Sequence, residues 1–593
     1  PAFPGAEGFG ADEITGGRGG KIVKITNLND TGQGSFRAAV VGDNDPKIII
    51  FEVSGIIRIK SGLRVGDNTT IAGQTAPLGG GITFYGWNRD PSVNNGLPYN
   101  DRALGNEIAQ NGSFSIGNNS IIRHIRVRGT SFKGDVIGGS PVNAIFDHVS
   151  CSWGGDEAIS LWGPGGSNTV KNIIIQWCTC EESVGYWHGE GGHNYGPMLS
   201  SGGKSYSIHH TLMAHHLKRD PEIQQDLDSY SDVRNCVQYD CGGVTAVISM
   251  QGPWCGKFNV INNYMIKGPS NESNPMNVFV GFGKNDSAAG LMPELYVAGN
   301  YNSTKPTAAK NAPQTDLVKV WAHESDGTAA TPTLVSDEFK VVTITTHTAE
   351  EAYDLVIEKA GAFPRDSTTR RTIEEVINAT GGHVMMDTNT MLESQKEWSE
   401  VKSFPNGRFK RLYKDDPNDW PDLPAPLDSD NDGMPDAWET ANGLNPADAS
   451  DAGNTDLSNQ FTGMDGYTNI EVYINALADT LVTIPWVPAS VLKLQKYVDN
   501  GLSLASYPNP FSSKVSISLN RRLEQDGKNI TISIFNVQGN LVRIFSVQNS
   551  HPGTEITWDG KDNFGRNPGA GTYFYRIKSG GKFISKAKFL KTR

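Results

Sequence analysis

The sequence predicts an all-β chain whose main part is a solenoid of stacked parallel strands, and three observations predict it. Short apolar and β-branched runs recur every roughly 20 to 30 residues over the first half of the chain, a spacing of one coil per repeat. Glycine is abundant, at 67 of 593 residues, while hydrophobic content is a moderate 37%, as in a turn-rich β protein. Some runs alternate apolar and polar residues (KIVKITNL, IIRIK), whereas KIIIFEV is continuous. That mixture is expected of strands buried on one face and on both.

The elements follow in order. Up to about residue 120 the strands are GGRGGKIVKITNL, KIIIFEVSGIIRIK, NTTIAGQ and GITFYG. The repeat continues through NSIIRHIRVRG, NAIFDHVSCSW, NTVKNIIIQWC, KSYSIHHTLMAHH, SDVRNCVQYD, GKFNVINNYMIKG and ELYVAGNYN. Between Asn143 and Asp240 these runs carry acids, histidines and arginines beside them, so a polar groove is expected there. From Thr348, TAEEAYDLVIEKAGAF has helical spacing, and TTRRTIEEVINATGG ends in a Gly-Gly helix stop. A Pro- and Asp-rich linker near Pro421 precedes the acidic stretch DSDNDGMPDAWE. From Leu502, alternating runs with Gly turns predict a small antiparallel sandwich. The expected division is 1–345, 346–420, 421–485 and 500–593.

A formal net charge of -12 with no basic block argues against nucleic acid as a partner. No apolar run is long enough to span a membrane. The chain opens on PAFPGAEGFG without a charged-then-apolar leader, which reads as a mature form. Cys151, Cys178, Cys180, Cys236, Cys241 and Cys255 include no CxxC pair, which argues against zinc. CTC puts Cys178 and Cys180 on one strand face, where Cys151 of the neighbouring coil can stack on one of them. A disulfide and buried free thiols are both open readings.

The collinear series TNLNDTGQGSFRAAV, IIIFEVSGIIRI, TTIAGQTAP, FDHVSCSWGGDE and HHTLMAHHLKRDP, after the Gly-rich start, resembles the pectate lyase family (polysaccharide lyase family one) over about residues 1–300. The resemblance implies a right-handed parallel β-helix, and a secreted, calcium-dependent enzyme that cleaves a uronic-acid polymer by β-elimination. In that chemistry calcium and cationic side chains neutralise the substrate carboxylate, and a base removes the C5 proton. It implies calcium at Asp147 and Asp156. The family's third acid falls at Ser160 here, with Glu157, Glu181 or Glu182 as substitutes. It implies Arg219 as the base, a role open to a guanidinium only in a dry site beside another cation. His210, His215 and Lys218 are alternatives on the same coil.

Two departures stand out: Glu222 and Gln224 follow Pro221 where the family has arginines, and Glu190 stands where relatives carry a lysine. His188, His193, Lys204, Arg234 and Lys218 are candidates to compensate at the substrate, with Trp187 stacking on a sugar. Trp153, Trp162, Trp177 and Tyr186 are further stacking candidates. This reading requires Asp147, Asp156 and Arg219 to share one face. Two rivals remain: a β-helical glycoside hydrolase using Asp156 with Glu157 or Asp226 with Asp228, and a non-catalytic glycan-binding or adhesion protein, which the lost basic residues favour.

In DSDNDGMPDAWE the acids fall at loop positions one, three, five, nine and twelve, with Gly433 at six. This is the EF-hand ligand spacing: Asp428, Asp430, Asp432, the Met434 carbonyl, Asp436 and Glu439. The loop resembles EF-hand and thrombospondin type 3 calcium loops, and calcium is the cofactor expected. The YPNPF entry, WDGKDNFG turn, AGTYFYRI strand and basic end resemble the C-terminal sorting domain of the type IX secretion system. That implies export across the outer membrane, with the secretion machinery as a partner; the lyase resemblance adds an acidic polysaccharide, and a monomer is expected.

Overall fold

Each apolar run becomes a strand because its side chains meet the same row of the next coil. One column of the first sheet reads Val23, Ile49, Ile71, Ile122, Phe146, Ile175, Ile208, Val233, Val260 and Val297, all in parallel register. A slip of one residue would turn the column outward, so the apolar pattern itself sets the register. The computed structural model describes residues 1–59, 61–77, 80–86, 114–129, 134–163, 170–186, 193–225, 228–241, 245–248, 256–271, 278–281, 292–307, 309–321, 332–386, 425–482, 504–507, 511–519, 530–536, 541–547, 554–562, 567–569, 571–579 and 582–591.

Three parallel sheets run along the resulting β-helix. The first extends from Lys21–Ile25 to Thr333–Leu334, the second from Gly55–Ile59 to Tyr301–Asn302, and the third from Leu63–Arg64 to Val318–Trp321. A coil visits them in turn: Ile137–Gly139 on the third, Val142–Asp147 on the first, Ser150–Ser152 on the second, then Glu157–Trp162 on the third again. The corner from first to second sheet is turned by His124, His148, Trp177, His210, Asn235 and Asn262, all at φ between 50° and 54°. The His and Trp rings among them stack from coil to coil, His124 on His148 at 4.7 Å and Trp177 on His210 at 4.2 Å. Asn and His are among the side chains that tolerate this left-handed conformation best, which accounts for their recurrence at the ends of the runs.

Two of the outer faces are covered. On the first sheet, Ala2, Phe3, Ala6, Ala11 and Ile14 pack over Ile121, Ile145 and Ile174, so these strands are apolar on both sides. The crossing is close: a Cβ on Gly8 would lie 2.7 Å from that of Ser207. Residues 425–482 cover the same sheet further along, with Met434, Ile470 and Ile474 against Ile48, Ile50 and Ala72. On the second sheet lie two helices, Ala349–Lys359 and Ser367–Asn378. Thr348 and Glu351 form a capping box on the first, and Asp366 caps the second. Asp366 also takes a bidentate pair from the buried Arg128, at 2.7 and 2.9 Å, and Arg128 reaches Glu181 at 3.2 Å.

Pro1–Val482 thus forms one unit. The second, Thr483–Arg593, pairs strands in antiparallel sheets of three and four among its described residues, around Val515, Ile517, Ile532, Ile534, Trp558 and Tyr575. The five described cysteines are free and buried, and Cys151 stacks on Cys180 at 3.5 Å. No helix among the described residues is long and apolar enough to cross a membrane.

Candidate active site

The third sheet gathers charge at the edge where its strands begin. Asp135 precedes Ile137–Gly139, Asp156 and Glu157 open the next strand, His193 and Tyr195 the next, and Lys218 and Arg219 precede Asp220–Gln225. Register aligns Ile137 with Ile159 and Glu157 with Tyr195, and Tyr195 bridges to Lys218. Four successive coils therefore deliver side chains to one edge, acids from the first two and basic groups from the last two.

Ligand atoms of Asp135, Asp156 and Glu157 lie within 4.8 Å of one another. Asp135 accepts the Glu157 N–H at 3.2 Å. Burial, then the charge of Asp156, pushes the Asp135 carboxyl well above the carboxylate range, against the opposing pull of Ser160, Arg219 and His193. His193 Nδ1 is 2.9 Å from Asp156 and its ring stacks on Tyr195 at 4.8 Å. The Arg219 guanidinium sits 4.3 Å over the Tyr195 ring, pairs with Glu157, and meets Glu222 at 3.0 Å. Its backbone is left-handed, at φ 69°, a conformation that clusters at functional sites in non-glycine residues. Beneath it, buried His216 and Asp220 bond at 2.6 Å, and Gln238 donates to the Asp220 carbonyl at 2.6 Å. Trp162, on the same strand face as Ser160, is 47% exposed.

Several expectations are corrected by this arrangement. Asp147 is not on this sheet, so the requirement that it share one face with Asp156 and Arg219 is not met. It belongs to a polar column of the first sheet, Arg123, Asp147, Gln176, His209 and Arg234. There it is sealed, bonded to Arg123 at 2.8 Å, Gln176 at 2.8 Å and His148 at 3.0 Å. Burial raises its pKa, but His148 and Arg123 outweigh that and hold it far below the carboxylate range. Asp135, rather than Asp147, is the acid gathered beside Asp156 and Glu157. Arg234, in the same column, is buried between Asp232 and Glu338. Lys204 opens the first-sheet half of Tyr195–His209, beside Lys171. Glu181 and Glu182 are buried against Arg128 and Arg371. Trp153 is buried, and Trp177 belongs to the corner stack. Trp187, His188, Glu190 and Asp226 lie outside the described residues.

His215 is wholly buried at the corner from second to third sheet, between Asp240 at 3.0 Å and Glu375 at 3.1 Å, and cannot touch a substrate. Burial works against its charge, yet the two carboxylates outweigh it and raise its pKa. Those of Asp240 and Glu375 are lowered in turn, the bond to His215 outweighing burial in each. Glu182, Arg371 and His383 complete the surroundings. The imidazolium's contribution is full below the ordinary histidine value of about 6.5 and disappears as pH rises through the raised one. The carboxylates' contribution disappears as pH falls through their lowered values. Docking of the Ser367–Asn378 helix is therefore expected to be tightest between these limits. Hydrogen exchange of that helix against pH checks this, and His215→Gln should abolish the alkaline limb.

The acidic loop forms a second cluster on the covered side of the first sheet. Asp428, Asp430 and Asp432 converge, as do Asp432, Glu439 and Asp451. Burial, together with the neighbouring acids, pushes Asp432 and Glu439 up to about 7. Asp436 does not take part: it turns away to accept the Ser429 N–H and hydroxyl, both at 2.7 Å. Met434 drives its side chain into the core. Asp451 and Asp135 went unnoticed in the sequence, although Asp135 lies 22 residues before Glu157, the offset that also separates Ile137 from its partner Ile159.

Residues 505–591 match the family described as Secretion system C-terminal sorting domain. Over 483 residues the chain is 31% identical to a probable pectate lyase C of Aspergillus terreus, covering 80% of this chain and 94% of that protein. It is 30% identical to a probable pectate lyase C of Emericella nidulans, over 80% of this chain and 92% of the relative. Among solved structures, the cedar pollen allergen jun a 1 aligns over 60% of this chain and 92% of its own, at 15% identity and a TM-score of 0.39.

Proposed function

The chain belongs to the pectate lyase family, and on that premise we propose that it is an exported, calcium-dependent polysaccharide lyase that cleaves a pectate-like uronic-acid polymer by β-elimination at the strand-start edge of the third sheet. The observation that carries the siting is the row of acids on two coils followed by Arg219 two coils on. The sorting tail directs the protein out through the type IX system.

The acids suit a hard cation: three carboxylates converge, and burial and the charge of Asp156 drive one of them, Asp135, towards its neutral form. Asp135, Asp156 and Glu157 would hold calcium, which neutralises a substrate carboxylate and so acidifies the C5 proton. Arg219 is the group we set against that proton. Glu157 and Glu222 both pair with the guanidinium in the resting site, so a basic role requires at least one of them to turn away. Lys218 is the neighbouring alternative. His193 orients Asp156, and Trp162 offers a sugar a solvent-facing ring. The acidic loop is proposed as a second calcium site.

The test is ultraviolet absorbance during incubation with polygalacturonate, with calcium or with chelator. Elimination leaves a double bond conjugated to the carboxylate, which absorbs. A calcium-dependent rise is expected. New reducing ends without absorbance would mean a hydrolase, and neither signal would leave a glycan-binding protein.

A further inference from the structure

Building on the reading of the acidic loop as a calcium site, we propose that Asp451, from outside the loop, completes it, and that the bound cation clamps residues 425–482 onto the wall of the β-helix as a structural site separate from the catalytic edge.

The carboxylates are arranged as ligands. Each aspartate spends one oxygen on the backbone. Asp428 accepts the Gly433 N–H at 2.9 Å, Asp430 the Asp432 N–H at 3.3 Å, Asp432 the Met434 N–H at 2.8 Å, and Asp451 the Asn445 N–H at 3.0 Å. The other oxygen of each, and both oxygens of Glu439, are buried without a hydrogen-bond partner. Glu439 is 0% exposed, so bulk water does not reach it. Unpartnered buried carboxylate oxygens are strongly unfavourable unless a cation meets them. An all-oxygen set with this many carboxylates is the calcium class; magnesium demands a tighter octahedron and keeps its waters.

The place of Asp451 gives the site its second role. It begins the turn Asp451–Gly453, and its carbonyl accepts the Asn469 side chain at 2.9 Å at the head of the helix Asn469–Val482. That helix rests on the first sheet through Ile470 and Ile474, and through Asn475, which accepts from Arg123 at 2.6 Å. On the loop side, Gly433 lies so close to the sheet that a Cβ would be 2.7 Å from Ile50. A cation held by both ends therefore draws the loop and the helix together over one patch of wall.

The experiment is calcium titration of the full chain by calorimetry, with thermal melting and limited proteolysis in calcium or chelator. It compares the wild type with Asp451→Asn, Asp432→Asn and Asp156→Asn. Asp451→Asn is expected to weaken one class of calcium site by roughly tenfold or more and to shrink the calcium-induced rise in Tm. Without calcium its Tm should stay level or increase, because one of five repelling acids is gone. Its elimination rate at saturating calcium should match the wild type. Asp156→Asn should keep the Tm rise and lose the activity. If Asp451→Asn keeps full affinity and stabilisation while Asp432→Asn loses both, the loop binds calcium alone and the inference fails. If neither variant changes binding, the calcium reading of the loop fails with it.

Discussion

Replacing Arg219 by lysine is expected to lower kcat for elimination by about 10² to 10³, with the fold retained. Lysine keeps one positive charge, but not the planar fork that meets Glu157 and Glu222 together while lying over Tyr195. Its ammonium follows one carboxylate and leaves the reacting proton. Arg219→Ala should lose at least as much, and also some stability, since Glu157 is nearly buried and its counter-charge goes. Initial rates by absorbance, beside melting curves, separate the two effects. A lysine variant that keeps more than about a tenth of the wild-type rate would remove Arg219 from the chemistry and turn attention to Lys218.

The largest loss of stability is expected at Arg128→Ala, about 3–5 kcal/mol. This guanidinium is the counter-charge for Asp366 and Glu181 together, all three buried between the second sheet and the Ser367–Asn378 helix. Burial raises Asp366, but Arg128 and Arg126 outweigh it and hold it down at about 2, so without Arg128 the buried carboxylate keeps only Arg126 and the Thr369 N–H against its burial. Chemical denaturation of the full chain measures the loss. Replacing Arg128 by methionine and Asp366 by asparagine together should cost less than Arg128→Ala alone, because one buried carboxylate fewer is left without its partner beside the helix cap. Equal losses would mean that packing, not charge, is what Arg128 supplies.

The architecture was legible because each apolar run meets its own likeness one coil away. KIIIFEV announced a strand covered on both faces, and Met434, Ile470 and Phe3 are among what covers such strands. The site was legible only in part. Asp156, Glu157, His193 and Arg219 were among the candidates and come to one edge, but a strand's sequence does not say which of three sheets it joins. Asp147 and Asp156 are nine residues apart, yet a whole second-sheet strand, Ser150–Ser152, and two corners lie between them. Asp135 sat in a Gly-rich stretch with no apolar run to mark it. Asp436 had the right spacing but stood in the first turn of the helix Asp436–Asn442, where an acid has another occupation. Asp451 had no spacing to betray it at all.

The glycine-rich stretch at the start of the chain has a consequence for the order of assembly. Glu7 gives its carbonyl to His209, 202 residues later, and Phe9 bonds Ser207, 198 residues later. The earliest residues of this sequence to be synthesised are thus among the last to find their places, since the surface they lie on does not exist until seven coils have stacked. Until then the Ile121, Ile145 and Ile174 ridge is bare and adhesive. Folding of this solenoid accordingly cannot finish as a simple zipper from one end. It closes with a long-range step, and contacts so distant in the chain form slowly.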